Sequence, residues 1–385
     1  FLNHHPEYRP IFVKGLPPLR VNDALVRAAR DHSSDMLLKN YYSHTSLEGY
    51  SARERVRQSG YQPDMLQEAL GLLTFDNFVG SEMAATQLFR SMIQDEFASA
   101  DLSSSRILNP LFREVGIGFQ GGHFNIQGKK KLAYIMTAEF ATSLEHGLSL
   151  ALLDMINRTR SDPIQVLEWA GVSKEQAENR LGDKAWVLEK GLPPLAWNET
   201  LLDTIRLEND MFNDSSVFNI EVMCPLSYSM NGFSNDALKL FTSLIERTGF
   251  LFTVLDPKAK NIGIALKQLG EFSGKHRVSL LTNSSQNSES SERFVMGYVY
   301  IDRDSDEEYD IGEGLSGLQV GLKSPGGAYK AIQYTGPRGR FQVRSPAWGF
   351  YDVVLLNEEG VGIKKVLTPL VDQNERVDIT FKSVH

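Results

Sequence analysis

Lys14-Gly15-Leu16-Pro17-Pro18-Leu19 returns as Lys190-Gly191-Leu192-Pro193-Pro194-Leu195. Each copy leads into a helical pattern that opens on an asparagine, Asn22 in one and Asn198 in the other. Self-similarity of this kind points to a duplicated domain. The far ends match too: Asn109-Pro110-x-x-x-Glu114-Val115-Gly116-Ile117 is echoed by Asp256-Pro257-x-x-x-Asn261-Ile262-Gly263-Ile264. Between the matching ends the second copy is shorter, and it lacks a histidine and carboxylate set that the first copy carries.

Working outward, 385 residues suffice for two or three domains. A chain that is 42% hydrophobic and 23% charged fits an ordinary globular protein. The net charge of −8 argues against nucleic acid as a partner, which would need clustered Lys and Arg. The short run Lys129-Lys130-Lys131 reads as a solvated hairpin tip. One cysteine, Cys224, excludes an internal disulfide framework and a multi-cysteine zinc site, and reads as a small buried apolar residue. No stretch approaches the roughly 18 apolar residues of a membrane-spanning helix. The chain opens at Phe1 without a signal-peptide pattern and reads as a mature or trimmed product.

Three blocks emerge. In residues 1–143 the spacing of Leu25, Ala28, Ala29, His32 and Met36 predicts a helix capped by Asn22. Ser51-x-x-Glu54 is a capping box for a second helix that Gly60 stops. Leu88, Met92 and Phe97 mark a third helix. Strands follow at 114–119 and 132–140, joined by a Gly- and Lys-rich turn in which His123 is expected to be exposed. Residues 144–282 open with a helix ending near Arg160. The repeated phrase comes next, then a helix carrying Leu201, Ile205, Glu208 and Phe212. A helix from Ser234 to near Gly249 and strands at 261–266 and 277–281 complete the block. Residues 283–292 form a polar linker. In residues 293–385 the period changes to about seven short strands with Gly and Pro turns, the pattern of a small β-sandwich. The fold class is therefore α+β, not alternating βαβ.

Residues 302–313 read D-R-D-S-D-E-E-Y-D-I-G-E. Asp302, Asp304, Asp306, Asp310 and Glu313 fall at loop positions 1, 3, 5, 9 and 12, and Glu308 is placed to offer its backbone carbonyl. That is the oxygen spacing of a 12-residue calcium loop. Position 6, normally Gly, is Glu307, which should weaken the site or alter its turn. The flanking strands point to a structural staple, not a helix-loop-helix sensor. Extracellular calcium sites bind at about 10⁻⁴ to 10⁻³ M, so this one would fill outside a cell and stay empty in cytosol. With Gly297-Tyr298-Val299-Tyr300-Ile301-Asp302 and Gly314-Leu315-Ser316-Gly317-Leu318, the block resembles the calcium-stabilised Ig-like β-sandwich repeats of bacterial surface adhesins.

The first block holds His32 inside the Asn22 helix, His44 in Tyr42-Ser43-His44-Thr45, Glu68 in Gln67-Glu68-Ala69 and Glu96 near the end of the Leu88 helix. Its text resembles the CAP superfamily, the cysteine-rich secretory, antigen 5 and pathogenesis-related 1 group, in its bacterial cysteine-free branch. The matching residues are Leu16-Pro17-Pro18-Leu19, His32-x-x-Asp35-Met36, Ser43-His44, Gly60-Tyr61, Arg106-Ile107-Leu108-Asn109-Pro110, Glu114-Val115-Gly116-Ile117-Gly118 and Tyr134-x-x-Thr137-x-x-Phe140. The resemblance implies an α-β-α sandwich around an antiparallel sheet, and two such modules in tandem before the all-β sandwich. It also implies a cleft of two His and two acids that in some members holds a divalent metal. His44 matches the first His and a cleft-metal ligand, Glu68 the first acid (with Ala69 in place of Asn) and Glu96 the second acid. Ser103 stands where the second His is expected, so one ligand is missing. The second block has Glu208 for His32 and nothing for His44 or Glu68; it resembles a degenerate copy.

Three functions follow. The first is a secreted or cell-surface binding and scaffold protein, its CAP cleft taking a small molecule, lipid or protein and its tail stapled by calcium. The second is a metal-assisted, peptidase-like hydrolase using His44, Glu68 and Glu96 as candidate catalytic residues, with His44 as general base and Glu68 orienting it. The third is a purely structural spacer. Against catalysis stands a bland alternative, in which His44 and Glu68 form a buried polar pair fixing the loop. His32, on the apolar helical face, is expected to be a hydrogen-bonded core histidine.

Overall fold

The computed structural model describes residues 16, 18–98, 105–109, 111–208, 218–226, 233–269, 274–283, 293–310, 312–336, 338–345, 347, 349–357, 362–367 and 373–382. The linker beyond Asn283, and Ser103, Pro17, Pro110 and Phe212, lie outside them. The chain divides into two compact units, Phe1–Leu144 and Glu145–His385. Among the described residues no helix is long and apolar enough to cross a membrane.

In the first unit Asn22 caps helix α1 (Asp23–Lys39) by accepting from Ala24 N at 3.0 Å. Its buried face is Leu25, Ala28, Ala29, His32, Ser33 and Met36, as the spacing predicts. The Ser51 capping box starts α2 (Ala52–Gln58). Helix α3 (Ser81–Ala98) follows a strand that the sequence reading did not anticipate, β2 (Pro63–Phe75). With β1 (Arg20–Val21), β3 (Glu114–Ile126) and β4 (Lys129–Ser143) it makes a sheet of order β1-β3-β4-β2. Even-numbered residues Tyr134, Met136, Ala138 and Phe140 of β4 pack with Leu88 and Met92 of α3. Odd-numbered Ala133, Ile135 and Ala141 pack with Met36 and Leu25 of α1. Strand alternation thus buries both faces, and the sheet is the middle of three layers.

Two expectations are corrected here. The β3–β4 turn is Gln127-Gly128, both at positive φ, so Lys129, Lys130 and Lys131 lie on β4 and not at a tip. His123 is exposed as expected, but it sits on β3 opposite Leu132.

The second unit opens one residue into α4 (Leu144–Ser161), and three short helices follow, α5 (Pro163–Trp169), α6 (Lys174–Leu181) and α7 (Val187–Lys190). Strand β5 (Ala196–Trp197) and α8 (Glu199–Glu208) lead to β6 (Phe218–Met223). The helix expected from Ser234 to Gly249 is two, α9 (Phe233–Ile245) and α10 (Thr248–Val254). With β7 (Asn261–Gln268) and β8 (Lys275–Asn283), the sheet order is β5-β7-β8-β6. A parallel edge pair, a central antiparallel hairpin and an antiparallel outer strand recur in the order of the first unit. Cys224 is buried, and burial pushes its thiol pKa up, consistent with an inert apolar role.

The repeated phrase is held by α4. Asn157 accepts from Leu195 N at 2.7 Å and donates to Leu195 O at 3.0 Å. Arg160, fully buried, donates to the carbonyls of Pro193, Val254, Asp256 and Ala259. Asn157 and Arg160 lie one turn apart, which is why this spacing accompanies the phrase.

The remaining strands are β9 (Arg293–Asp302), β10 (Gln319–Lys323), β11 (Tyr329–Tyr334), β12 (Arg340–Ser345), β13 (Asp352–Leu356), β14 (Gly362–Leu367), β15 (Glu375–Arg376) and β16 (Ile379–Lys382). They form two sheets, β11-β10-β13-β14 and β12-β9-β15, with β16 also on β9. Val320, Leu322 and Val353 of one sheet share a core with Val295, Phe341 and Ile379 of the other.

Candidate functional site

Glu68 is the hub of the first unit's polar cluster. It lies on β2 directly opposite Glu139 of β4, on the α1 face. Its side chain is 3% exposed. One carboxylate oxygen meets His44 Nδ1 at 2.7 Å; the other takes a short ion pair from Arg55 of α2. Arg55 also donates to the carbonyls of His44 at 2.9 Å and Tyr50 at 2.8 Å, so one guanidinium ties the His44 loop to the acid. His44 is 61% exposed, so the pair is not buried as a unit: a buried acid orients an open imidazole.

His32 is a core histidine, as expected. It is buried, with Nε2 3.0 Å from Ser43 O and 4.0 Å from a Glu68 oxygen. Burial, then the Arg55 charge, lowers its pKa, so the ring is neutral at physiological pH.

Glu96 is not brought to His44. It is buried at the end of α3, where it accepts from Arg106 N at 2.8 Å, Ile107 N at 3.2 Å and the Ser105 hydroxyl. It is the anchor of the loop after α3, and its neighbour Asp95 lines the cleft instead. Ser103 lies outside the described residues.

Sequence reasoning missed Glu139. It is 0% exposed and neither carboxyl oxygen meets a donor. Burial first, and the facing Glu68 charge second, push its pKa up to about 10. It therefore holds a proton at neutral pH. The signal available was its odd position in the stretch 133–143, whose other odd residues are apolar or small. Because the folded pKa lies above the ordinary 4.5, Glu139 favours folding below pH 4.5. That contribution is lost as pH rises toward 10. Glu139→Gln should therefore gain stability relative to the parent as pH rises from 4 to 8, by up to about 1.4 kcal/mol for each pH unit above 4.5, and change it little at pH 4. Urea unfolding followed by far-UV circular dichroism at the two pH values checks this.

The cleft beside His44 has a volume of about 360 Å³. Leu88, Met92 and Met136 make an apolar wall; Tyr42, Asp95 and Arg106 supply polar groups. Its described residues bring together no group of three metal ligands. Among the described residues, three His, Cys or acidic ligand atoms gather within 4.8 Å of one another only at Asp302, Asp304 and Asp306. The two Glu68 oxygens already meet His44 and the Arg55 cation.

The loop 302–313 does have donors for a cation. The Asp302 carboxylate accepts from Ser305 N at 2.8 Å and Glu307 N at 3.3 Å; Asp306 accepts from Glu308 N at 2.8 Å. Glu313 folds back onto Arg303 N at 2.7 Å and Asp310 N at 3.2 Å. Burial and the nearby Asp306 charge raise the Asp310 pKa. Ser305 and Glu307 take φ 66° and 64°, left-handed conformations that strain a non-glycine backbone.

No curated protein matches the chain. An extracellular protein containing an SCP domain from Bacillus anthracis str. Ames is similar in structure, at 19% identity and a TM-score of 0.24; the match covers 35% of this chain. The chain spans only 37% of that protein's length. An outer surface protein from Borrelia burgdorferi is similar at 13% identity and a TM-score of 0.23, covering 37% of this chain and 90% of the other. Residues 2–134 match the family model of CAP, the cysteine-rich secretory protein family, so this part of the chain carries a CAP domain.

Proposed function

We propose that the chain is a secreted or cell-surface binding and scaffold protein. Its CAP domain presents a cleft to a ligand, and residues 144–282 are a degenerate CAP-like copy that serves as scaffold. The asymmetry between the copies carries this reading. Strand order, the parallel edge pair and a glycine against the following helix (Gly116 and Gly263) recur in both. Among the described residues, however, only the first has a cluster like His44–Glu68–Arg55 beside a cleft. In the second, the phrase and its strand are occupied. Asn374 donates to Pro194 O at 3.1 Å, and Gln342 exchanges hydrogen bonds with the Trp197 backbone at 2.8 and 2.9 Å. Both partners belong to residues 293–385, which we read as an Ig-like sandwich seated on that copy. A ligand screen on the full chain, read as chemical-shift changes around His44 and repeated with His44→Ala, tests the proposal. No small molecule, lipid or peptide perturbing that region would count decisively against it.

A hydrolase is the second reading. It is favoured by one observation: the 2.7 Å contact at Nδ1 directs the other imidazole nitrogen of His44 away from Glu68, as a general base requires. Turnover of a peptide and ester panel that is unchanged in His44→Ala would eliminate it.

The loop 302–313 is read as a calcium staple, supported by the Asp302, Asp304 and Asp306 cluster. Asp302, Asp304, Asp306, Asp310 and Glu313, with the Glu308 carbonyl, would be its ligands, and the millimolar calcium outside cells would fill it. With a Kd near 1 mM, 10 mM calcium should stabilise the second unit by about 1.4 kcal/mol. Asp304→Asn should abolish the shift, as read by tryptophan fluorescence during thermal melting; magnesium in calcium's place is the control. Glu307→Gly relieves a left-handed non-glycine residue and should stabilise the second unit by about 1 kcal/mol, measured by urea unfolding followed by tryptophan fluorescence.

A further inference from the structure

Five consecutive residues of β2, Ala69 to Leu73, line the cleft beside His44. Successive side chains of a strand point to opposite faces. Five in a row line one cavity only where the cavity runs along the strand's hydrogen-bonding edge. β2 is the end strand of its sheet, and among the described residues it pairs only with β4.

Parity decides which backbone groups face outward. Arg106 Nε donates to the Glu68 carbonyl at 3.2 Å, so Glu68 turns its backbone away from β4. In an antiparallel ladder alternate residues face the partner and the outside. Ala69, Gly71 and Leu73 therefore bond β4, while Leu70 and Leu72 aim N–H and C=O into the cleft. The far side of the sheet agrees. The Ala141 carbonyl accepts from Arg113 N, beside β3, at 3.1 Å, and Ala141 shares parity with Glu139, the residue opposite Glu68.

We propose that the cleft binds an extended peptide, which adds to β2 as an outer strand by pairing with Leu70 and Leu72. This rests on the reading of the cleft as a ligand site and names its ligand class. Two N–H and two C=O groups recur along this edge at about 6.8 Å, the two-residue repeat of a strand. An acyl chain lying here would strip water from all four groups, at about 1–3 kcal/mol each, and return no hydrogen bond. A peptide backbone satisfies them. Its alternate side chains would meet Leu88, Met92 and Met136 on one face and His44 on the other, which favours an apolar and polar alternation.

The test uses the full chain and the probe acetyl-Leu-Thr-Leu-Thr-Leu-amide, followed by amide resonances in a ¹⁵N-labelled sample. In the free protein Leu70 and Leu72 amides should exchange quickly while Ala69 and Gly71 are protected. The peptide should shift and protect Leu70 and Leu72. Two N-methylated analogues, one blocking the Leu amides and one the Thr amides, should separate: one loses at least tenfold in affinity and the other stays close to the parent. Equal binding by both analogues, or binding that leaves Leu70 and Leu72 unchanged, overturns the proposal. Lysophosphatidylcholine below its critical micelle concentration serves as the second probe. If it perturbs His44 and Met92 where the peptide does not, the peptide proposal fails and the ligand-site reading stands. If neither probe perturbs the region, both fail.

Discussion

Gly116→Ala is expected to unfold the CAP domain and leave the second unit intact. A Cβ at this position would sit 2.1 Å from the Leu25 carbonyl carbon and 2.4 Å from Val26 N. Those are backbone atoms of α1, so no rotamer change relieves the clash; the helix must lift off β3. Overpacking commonly costs about 1–3 kcal/mol, and a backbone collision belongs at or beyond the upper end, so a loss of at least about 3 kcal/mol is expected. All four tryptophans, Trp169, Trp186, Trp197 and Trp348, lie in the second unit. Tryptophan fluorescence during urea unfolding should therefore be unchanged while the far-UV circular dichroism transition of the first unit moves to lower urea. A fluorescence transition that moves equally would refute the independence of the units.

Arg160→Met should do the reverse. The Arg160 guanidinium is fully buried and donates to four carbonyls, at 2.7 Å to Pro193, 2.6 Å to Val254, 3.1 Å to Asp256 and 3.4 Å to Ala259. Burial lowers its pKa to about 10, yet it remains a cation at neutral pH. Methionine fills much of the volume but returns no hydrogen bond. Leaving several buried acceptors without a donor should cost about 3–5 kcal/mol. The tryptophan-reported transition should shift by that amount, with the first unit unaffected. A shift below about 1 kcal/mol would show that water replaces the guanidinium.

Much of the architecture was legible because local rules and tertiary demands agree. Asn22 and Ser51 cap the helices where their spacing says they should, and the apolar stripe of α1 is its buried stripe. The end strand β2 was not legible. Its Met65-Leu66 and Leu70-Gly71-Leu72-Leu73 runs lack clean alternation, because both faces of the strand are packed and apolar residues suit either. His44 and Glu68 were found together, since the family resemblance placed both. Glu96 accepts the amides of the loop after α3, which its sequence position did not show. A carboxylate ending a helix looks the same in sequence whether it lines a cleft or accepts the amides of Arg106 and Ile107.

The sequence by itself determined the repeat of Lys-Gly-Leu-Pro-Pro-Leu, the capped helices, the acidic loop spacing and the lack of a His44 or Glu68 counterpart after the second phrase. These are properties of residue identity and near-neighbour spacing. Only the tertiary structure decided that Arg55 and Glu139 flank Glu68, that Glu139 keeps its proton and that Leu70 and Leu72 turn their backbone into the cleft. Those depend on pairing Glu68 with Glu139 across 71 residues of chain, and on which strand ends at the edge of the sheet. Neither pairing partner nor edge is written in local spacing, because sheet register is settled by burial of whole faces. The same holds for the second phrase: its six residues repeat the first, but Arg160, Asn157 and Asn374 reach it from distant positions and hold it.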